Sequence, residues 1–186
     1  MVSLIDRLNR IAQMSPELIQ QLYNIVTDKT FKKGQFLLTA GELCRNIYFI
    51  EKGLVVIYRV MEKGQRNVQW ILQAGDFLIV TDSFKTGDRS QFNVLALEDT
   101  QTWLTHHEKL MYTCQNWPEF FYHYTELDGG YRKAKEKFDA LTPKERYDLL
   151  WHTHPDFFNR VERELLARYI GVRPKTFDSY RRDYPS

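Results

Sequence analysis

The sequence predicts an α+β protein in which short helices come first, a roll of short β-strands follows, and helices form the remainder. Three changes in hydrophobic spacing predict this order. Apolar residues recur at helical spacing in the first 25 residues, at every second position between Phe31 and about Leu104, and at alternating steps of three and four from Trp117. With 186 residues, of which 43% are hydrophobic and 15% aromatic, the chain can build one large domain or a medium and a small one.

The N-terminal segment predicts two helices. Ser15-Pro16-Glu17 marks the start of the second helix, because proline is well tolerated at the first helical position. The segment has no apolar signal-peptide core, and no stretch of the sequence approaches the roughly 18 apolar residues of a membrane span. We therefore expect a cytoplasmic protein that makes no membrane contact.

Short strands are predicted between Phe31 and Leu104. Two alternating runs, 54–60 and 68–73, flank a turn at 62–65 and predict a hairpin. Many short strands with evenly spaced turns are typical of a β-sandwich, a jelly roll or a barrel. The turns are marked by glycines about 7 to 12 residues apart, namely Gly34, Gly41, Gly53, Gly64, Gly75 and Gly87.

A long helix is predicted over residues 116–140. Asn116-Trp117-Pro118-Glu119 is typical of a helix start, and a seam of apolar residues with heptad spacing follows it. Gly129-Gly130 lies off this seam and is expected to bend or break the helix, since each glycine costs roughly 1 kcal/mol relative to alanine. The seam consists of Trp117, Phe120, Tyr124, Leu127, Tyr131, Ala134 and Phe138.

The C-terminal segment, residues 141–186, has the spacing of a helix-turn-helix. Ala167 is small enough to let two helices approach, Gly171 permits a positive φ angle, and Val172 fills the joint. The second helix would lie in the major groove of DNA. The alternative is a helical cap with a solvated charged face, because nine basic and seven acidic side chains leave this segment a net charge of only +2. Candidate phosphate and base contacts are Arg173, Lys175, Thr176, Ser179, Arg181 and Arg182.

These segments resemble the Crp/Fnr family of transcription regulators, especially the short branch common in Bacteroidetes, over nearly the whole chain. The C-terminal resemblance is carried by residues 145–155, Arg160-Val161 and 166–174. The strand-and-turn landmarks of the family's cyclic-nucleotide-binding β-roll are matched by Phe31-Lys32-Lys33-Gly34, Ala40-Gly41-Glu42, residues 47–53 and Gly75-Asp76-Phe77.

The resemblance implies three parts. Residues 1–115 form a cyclic-nucleotide-binding-like β-roll with N-terminal helices, residues 116–140 a central dimerisation helix, and residues 141–186 a helix-turn-helix with no clear wing. The heptad seam is then the dimer interface, although the same side chains would also suit packing on the roll. The implied partners are double-stranded DNA, a second copy of the chain, and RNA polymerase.

The resemblance also implies a small-molecule effector site after Gly75. Arg89-Ser90 matches the pair that holds the phosphate in this family, and Asp88 lies where it would compete for the arginine. Ile79-Val80 stands where a Gly-Glu pair holds the ribose, so cyclic AMP is not the expected effector, and its identity stays open. Candidate ligand contacts are Gly75, Asp76, Thr81, Asp82, Ser83, Arg89, Ser90, Gln91 and Tyr131.

Three further observations concern DNA binding, metal binding and catalysis. The reading helix carries Asp178-Ser179 where the family has a serine or glycine followed by an arginine, and a carboxylate there repels the DNA backbone. Cys44 and Cys114 lack metal-ligand spacing and suit buried free thiols. No nucleophile elbow, P-loop or dinucleotide motif occurs, so we expect no enzyme. The remaining alternatives are a β-roll module that has lost DNA binding, and a cupin-like metalloenzyme.

Overall fold

The structure, a computed structural model, describes residues 1–184 and begins with two helices. Helix α1 spans Val2–Asn9 and α2 spans Pro16–Ile25. The Ser15 hydroxyl accepts a hydrogen bond from the Leu18 N–H at 3.2 Å, which caps α2 at the predicted position. Leu18 and Leu22 are buried, so the apolar stripe of α2 faces the main core.

Within residues 1–184, eight strands form two four-stranded antiparallel sheets, which confirms the predicted β-roll. The sheet orders are β1-β8-β3-β6 and β2-β7-β4-β5. Strands β4 and β5 form the predicted hairpin, with register from Leu54 opposite Gln73 to Val60 opposite Arg66. The strands are β1 (Val26–Phe31), β2 (Phe36–Leu38), β3 (Asn46–Lys52), β4 (Leu54–Val60), β5 (Arg66–Gln73), β6 (Phe77–Leu78), β7 (Asn93–Ala96) and β8 (Thr100–His106).

Strand β4 is buried on both faces. Val55 and Ile57 point into the main core between the sheets, together with Phe49 and Ile50 of β3. Leu54, Val56 and Tyr58 point the other way, into a second core shared with the C-terminal helices. A strand with two buried faces needs an unbroken apolar run, and residues 54–58 are all at most 5% exposed.

The remaining helices follow the roll. Helix α5 is continuous through Gly129-Gly130, so the glycines do not break it. Apolar side chains on both sides of the glycines anchor the helix, and their burial outweighs a cost of about 1 kcal/mol per glycine. None of the helices within residues 1–184 has the length and hydropathy to cross a membrane. The helices are α3 (Thr81–Thr86), α4 (His107–Asn116), α5 (Pro118–Ala140), α6 (Pro143–Thr153), α7 (Phe157–Arg160), α8 (Arg163–Ile170) and α9 (Pro174–Arg181).

The turn from β3 to β4 requires glycine. Gly53 has φ +116°, and a Cβ atom there would lie 2.7 Å from the Thr100 Cα. We expect Gly53→Ala to lower the free energy of unfolding by about 2–4 kcal/mol, because strain and a backbone clash add. The control is Gly64→Ala, whose φ of +73° is also strained but whose Cβ meets nothing within 4 Å. Urea denaturation of both variants measures the difference, and equal losses would contradict the close approach at Thr100.

Candidate functional site

Helices α8 and α9 form a tight helix-turn-helix. Gly171 ends α8 with φ +87°, and the Val172 N–H donates to the Ala167 carbonyl oxygen at 2.9 Å. Ala167 has no exposed surface, which fits its predicted place at the contact between the helices. Phe177 is 2% exposed and fixes α9 onto the second core. The rotation of α9 is therefore set by its buried face.

The candidate DNA contacts lie on the solvent side of α9. Lys175, Ser179 and Arg182 follow at steps of four and three residues and share the face opposite Phe177. Ser179 is half-buried, and its hydroxyl donates to the Thr176 carbonyl oxygen at 2.7 Å. The exposed members of the predicted set are Arg173, Lys175, Thr176, Arg181 and Arg182. The structure thus brings these groups together on one surface of the chain.

Asp178 lies beside this surface and takes part in an ion pair. Its Oδ2 atom accepts a hydrogen bond from Nη1 of Arg163, on α8, at 2.7 Å. Within residues 1–184, five of the seven acidic residues of the segment pair with an arginine or a lysine, as Asp183 does with Lys144 at 3.1 Å. The four basic residues of the reading surface, Arg173, Lys175, Arg181 and Arg182, make no ion pair in that range. The local positive charge therefore exceeds what the net charge of +2 indicates.

An aromatic cluster packs against the side of α9, the reading helix, that faces α6. Tyr147 has no exposed surface, and its ring contacts Phe177 and Tyr180 of α9 at centroid distances of 5.3 and 5.7 Å. The Lys144 ammonium lies 5.1 Å from the Tyr180 ring centroid and 4.6 Å from that of Tyr184. Ring contacts and cation–π contacts of this kind fix the position of α9 on α6.

The heptad seam of α5 packs within the chain. Phe138 stacks on Tyr169 of α8 with centroids 4.8 Å apart, and the Tyr131 hydroxyl donates to the Phe77 carbonyl oxygen. The remaining aromatic and leucine positions, Trp117, Phe120, Tyr124 and Leu127, pack against the main core. Ala134 is exposed beside a cleft that faces the C-terminal helices. The structure thus favours packing on the roll, the alternative to an interface between two copies.

The opposite side of α5 is free within the described chain. This outer face consists of Tyr122, Thr125, Gly129, Lys133 and Glu136, which share one side of the helix. Its N-terminal end is aromatic, because Tyr122 is 49% exposed and lies near Phe121, which is 54% exposed. A Cβ atom on Gly129 would meet nothing within 4 Å. No packing contact within residues 1–184 explains this glycine.

A cavity of about 220 Å³ lies between β4, β5, the β6–α3 segment and α5, and we term it the roll pocket. Trp70 and Tyr131 meet edge to face across one side, with ring centroids 6.1 Å apart. The apolar wall consists of Ile57, Leu72, Phe77, Ile79, Val80 and Phe92. The polar lining consists of Gln69, Thr81, Asp82, Arg132 and Lys135.

Three predicted ligand contacts, Thr81, Asp82 and Tyr131, line the roll pocket. Arg89 does not line it, since its Nη1 donates to the Gly41 carbonyl oxygen at 2.6 Å and its side chain borders a different cleft. Among the described contacts, Asp88 makes no hydrogen bond to Arg89. Its Oδ2 atom accepts one from the Thr86 hydroxyl at 2.8 Å. The expected competition for the arginine is therefore absent from the described contacts.

The other predicted ligand contacts have structural partners or face solvent. The Ser90 hydroxyl donates to the Phe92 carbonyl oxygen at 2.9 Å, and the Ser83 hydroxyl donates to that of Asp88 at 2.6 Å. Asp76 accepts from the Gln73 N–H at 2.9 Å, and burial raises the pKa of its carboxyl. Gly75 closes the same turn with φ +92°, and Gln91 is exposed. These residues shape the loop from outside the pocket.

A buried carboxylate that the sequence did not indicate links α3 to α5. Asp128 is 4% exposed, and its Oδ2 accepts from Lys85 of α3 at 2.6 Å and from Arg132 at 3.1 Å. The i,i+4 spacing of Asp128 and Arg132 is visible in the sequence, but similar pairs are usually exposed and weak. Lys85, which makes the contact buried and specific, has no signal in the sequence.

Both cysteines are buried free thiols, as predicted. Burial raises the pKa of Cys44, and it raises the pKa of Cys114 to about 11. The thiolate is the reactive form of cysteine, so burial disfavours reaction at both side chains.

Comparisons with known proteins agree with this geometry. Residues 28–116 match the cyclic nucleotide-binding domain family. A segment of 75 residues, 40% of the chain, is 33% identical to the fumarate nitrate reduction regulatory protein of Klebsiella oxytoca, and it spans only 30% of that protein.

Solved structures share the fold over most of the chain. FixK2 from Bradyrhizobium japonicum superposes with a TM-score of 0.74 at 15% identity, covering 86% of this chain and 84% of that one. A putative transcriptional regulator of the Crp/Fnr family from Eubacterium rectale gives 0.69 at 12% identity, covering 91% and 83%. The catabolite activator protein of Thermus thermophilus gives 0.60 at 17% identity, covering 95% and 85%.

The buried position of Asp128 yields a stability prediction. We expect Lys85→Ala to lower the free energy of unfolding by about 1–2 kcal/mol, because a buried carboxylate loses a partner that is itself only 39% exposed. The matched control is Lys135→Ala, which frees the half-exposed Asp139 and should cost less than about 0.5 kcal/mol. Thermal and urea denaturation compare the two variants. A Lys85→Ala protein as stable as the control would show that the α3–α5 link contributes nothing.

Proposed function

We propose that this chain is a homodimeric DNA-binding transcription regulator of the Crp/Fnr superfamily, and that its β-roll acts as its sensor. The observation that carries this proposal is the reading surface of α9, where four unpaired basic side chains project from a helix-turn-helix of fixed geometry. The likeness to solved structures over 86% and 91% of the chain supports it. Proteins of this family are regulators and not enzymes.

The contacts with DNA follow from the placement of α9. The residues that begin a recognition helix lie nearest the base edges, so Arg173, Lys175 and Thr176 are proposed to read bases or bind nearby phosphates. Ser179 and Arg182 lie one turn or more further along the same face, and Arg181 flanks it. Asp178 does not prevent binding in this proposal, because Arg163 offsets its charge. In a bacterial cell such a regulator acts in the cytoplasm, and RNA polymerase is proposed as a further partner.

The two copies are proposed to meet through the outer face of α5. The heptad seam is occupied within each chain, whereas the outer face carries exposed aromatic side chains at one end and an unexplained glycine at its centre. A glycine at a helix crossing lets two backbones approach closely. Dimerisation also places two reading helices on successive half-sites of a symmetric operator.

A β-roll module without DNA binding is the second candidate function. The observation that favours it is the modest basic surplus of the C-terminal segment together with a carboxylate at position 178. Such a module would bind its ligand through the roll pocket and leave the α9 surface without a role.

The DNA-binding proposal predicts selective, salt-sensitive binding to genomic fragments. In fluorescence anisotropy at two salt concentrations, the chain should enrich a two-fold symmetric motif, and affinity should fall steeply with salt. Arg182→Ala should weaken binding at least about tenfold, since a phosphate or base contact is worth about 1–3 kcal/mol. Lys33→Ala, an exposed basic residue on the roll, is the matched control and should change affinity little. Weak, unselective binding, unaltered by Arg182→Ala, would favour the β-roll module.

The dimer proposal predicts different effects of two neighbouring glycines. Gly129→Leu should raise the dimer dissociation constant at least about tenfold, because the side chain obstructs the helix crossing. Gly130→Leu should leave it nearly unchanged, since Gly130 lies toward the cleft beside Ala134. Neither should destabilise the monomer, as a Cβ atom at either position meets nothing within 4 Å. Analytical ultracentrifugation measures the constants. Equal effects, or a wild-type chain that stays monomeric on its operator, would contradict the proposed face.

A further inference from the structure

We propose that the roll pocket binds a small organic carboxylate with an apolar body, with the body against the β6–α3 wall and the carboxylate at α5. The inference rests on the proposed sensor function of the β-roll and names the class of ligand for that pocket. It is carried by three features of the described residues, namely the apolar inner wall, the distribution of charge, and the size of the cavity.

The wall at Ile79 and Val80 offers no polar side chain to a sugar or a phosphate. Ile79 and Val80 present aliphatic side chains at the α3 side of the pocket. Ser90 is 4% exposed and its hydroxyl is engaged with the Phe92 backbone on both sides, as acceptor from the N–H and donor to the carbonyl oxygen. Arg89 borders another cleft and donates to Gly41. A ligand that buries polar groups against this wall would leave them without hydrogen bonds, at a cost of about 1–3 kcal/mol each.

Opposite charges lie on opposite sides of the pocket, with the carboxylate at α3 and the cations at α5. Asp82 contributes a carboxylate on the α3 side, where it repels an anion. Arg132 and Lys135 contribute cations on the α5 side, where their i,i+3 spacing makes them neighbours, and Lys135 is also paired with Asp139. Arg132 is 66% exposed and pairs with Asp128. Asp128 also pairs with Lys85, so one carboxylate is shared by two cations. The guanidinium keeps donors free to bind a carboxylate in a fork.

The size of the cavity favours a small ligand. Its volume of about 220 Å³ lies below the roughly 300–1,000 Å³ of pockets for drug-sized molecules. Most of the wall is aliphatic or aromatic, and burial of apolar surface would supply most of the affinity. A carboxylate on Arg132 would compete with Asp128 for the guanidinium, and Asp128 is the residue that binds Lys85, so binding would act on the contact between α3 and α5.

Isothermal titration calorimetry on the full chain tests the proposal with octanoate, 4-phenylbutanoate, octan-1-ol and cyclic AMP. We expect a carboxylate to bind at one site per chain and at least about tenfold more tightly than octan-1-ol. The better of the two carboxylates then distinguishes an acyl from an aromatic body. Quenching of tryptophan fluorescence should accompany binding and shrink in Trp70→Phe, which locates the ligand, because Trp70 lines the pocket.

Two identical substitutions at different arginines complete the test. Arg132→Gln should abolish the preference for the carboxylate over the alcohol, and Arg89→Gln should leave it unchanged. The proposal is overturned if no carboxylate binds, if the alcohol binds equally well, or if cyclic AMP binds more tightly and depends on Arg89. DNA binding by the ligand-free chain is measured separately, so a failure of the ligand class is distinguishable from a failure of the proposed regulator.

Discussion

Strand β4 separates two hydrophobic cores, and both halves of the molecule depend on it. One face of the strand closes the interior of the roll, while the other carries the C-terminal helices through Leu54, Val56 and Tyr58. Arg160 strengthens this junction at the surface, since its guanidinium pairs with Glu98 at 2.5 Å and reaches the Gly53 carbonyl oxygen at 3.5 Å. The helix-turn-helix is therefore packed on the roll as one continuous apolar structure.

The fold was largely predictable because hydrophobic periodicity reports burial directly. The two-residue period gave the strands, and Gly171 together with Ala167 located the helix-turn-helix to within a residue or two. Gly129-Gly130 suggested a break in α5 that does not occur, because helix propensity contributes little beside the packing of the flanking side chains. The domain limits at residues 115 and 140 stay predictions, because the shared core crosses both.

The candidate sites were harder to predict, for physical reasons that differ from site to site. A heptad seam shows that a helix buries one stripe, but the same stripe fits a second helix or the chain's own sheet. Phe138 and Tyr131 could be assigned only when their neighbours in space were known. The direction in which Arg89 points depends on the loop around it, and Asp128 has its role through Lys85, which is 43 residues away in the sequence. For Ile79-Val80 the resemblance implied only that the ribose-holding pair is missing, and the apolar pocket they line became visible in the structure.

Because β4 belongs to both cores, it restricts how the C-terminal helices can move. If the reading helix is to move, it cannot swing alone about the Leu141 link without exposing the outer face of the β4–β5 hairpin to water. The rigid body that moves is then the C-terminal segment together with the hairpin and the roll. In the proposed dimer, the pivot for such a motion would be the crossing of the two α5 helices, where a change of a few degrees is amplified over the distance to each α9.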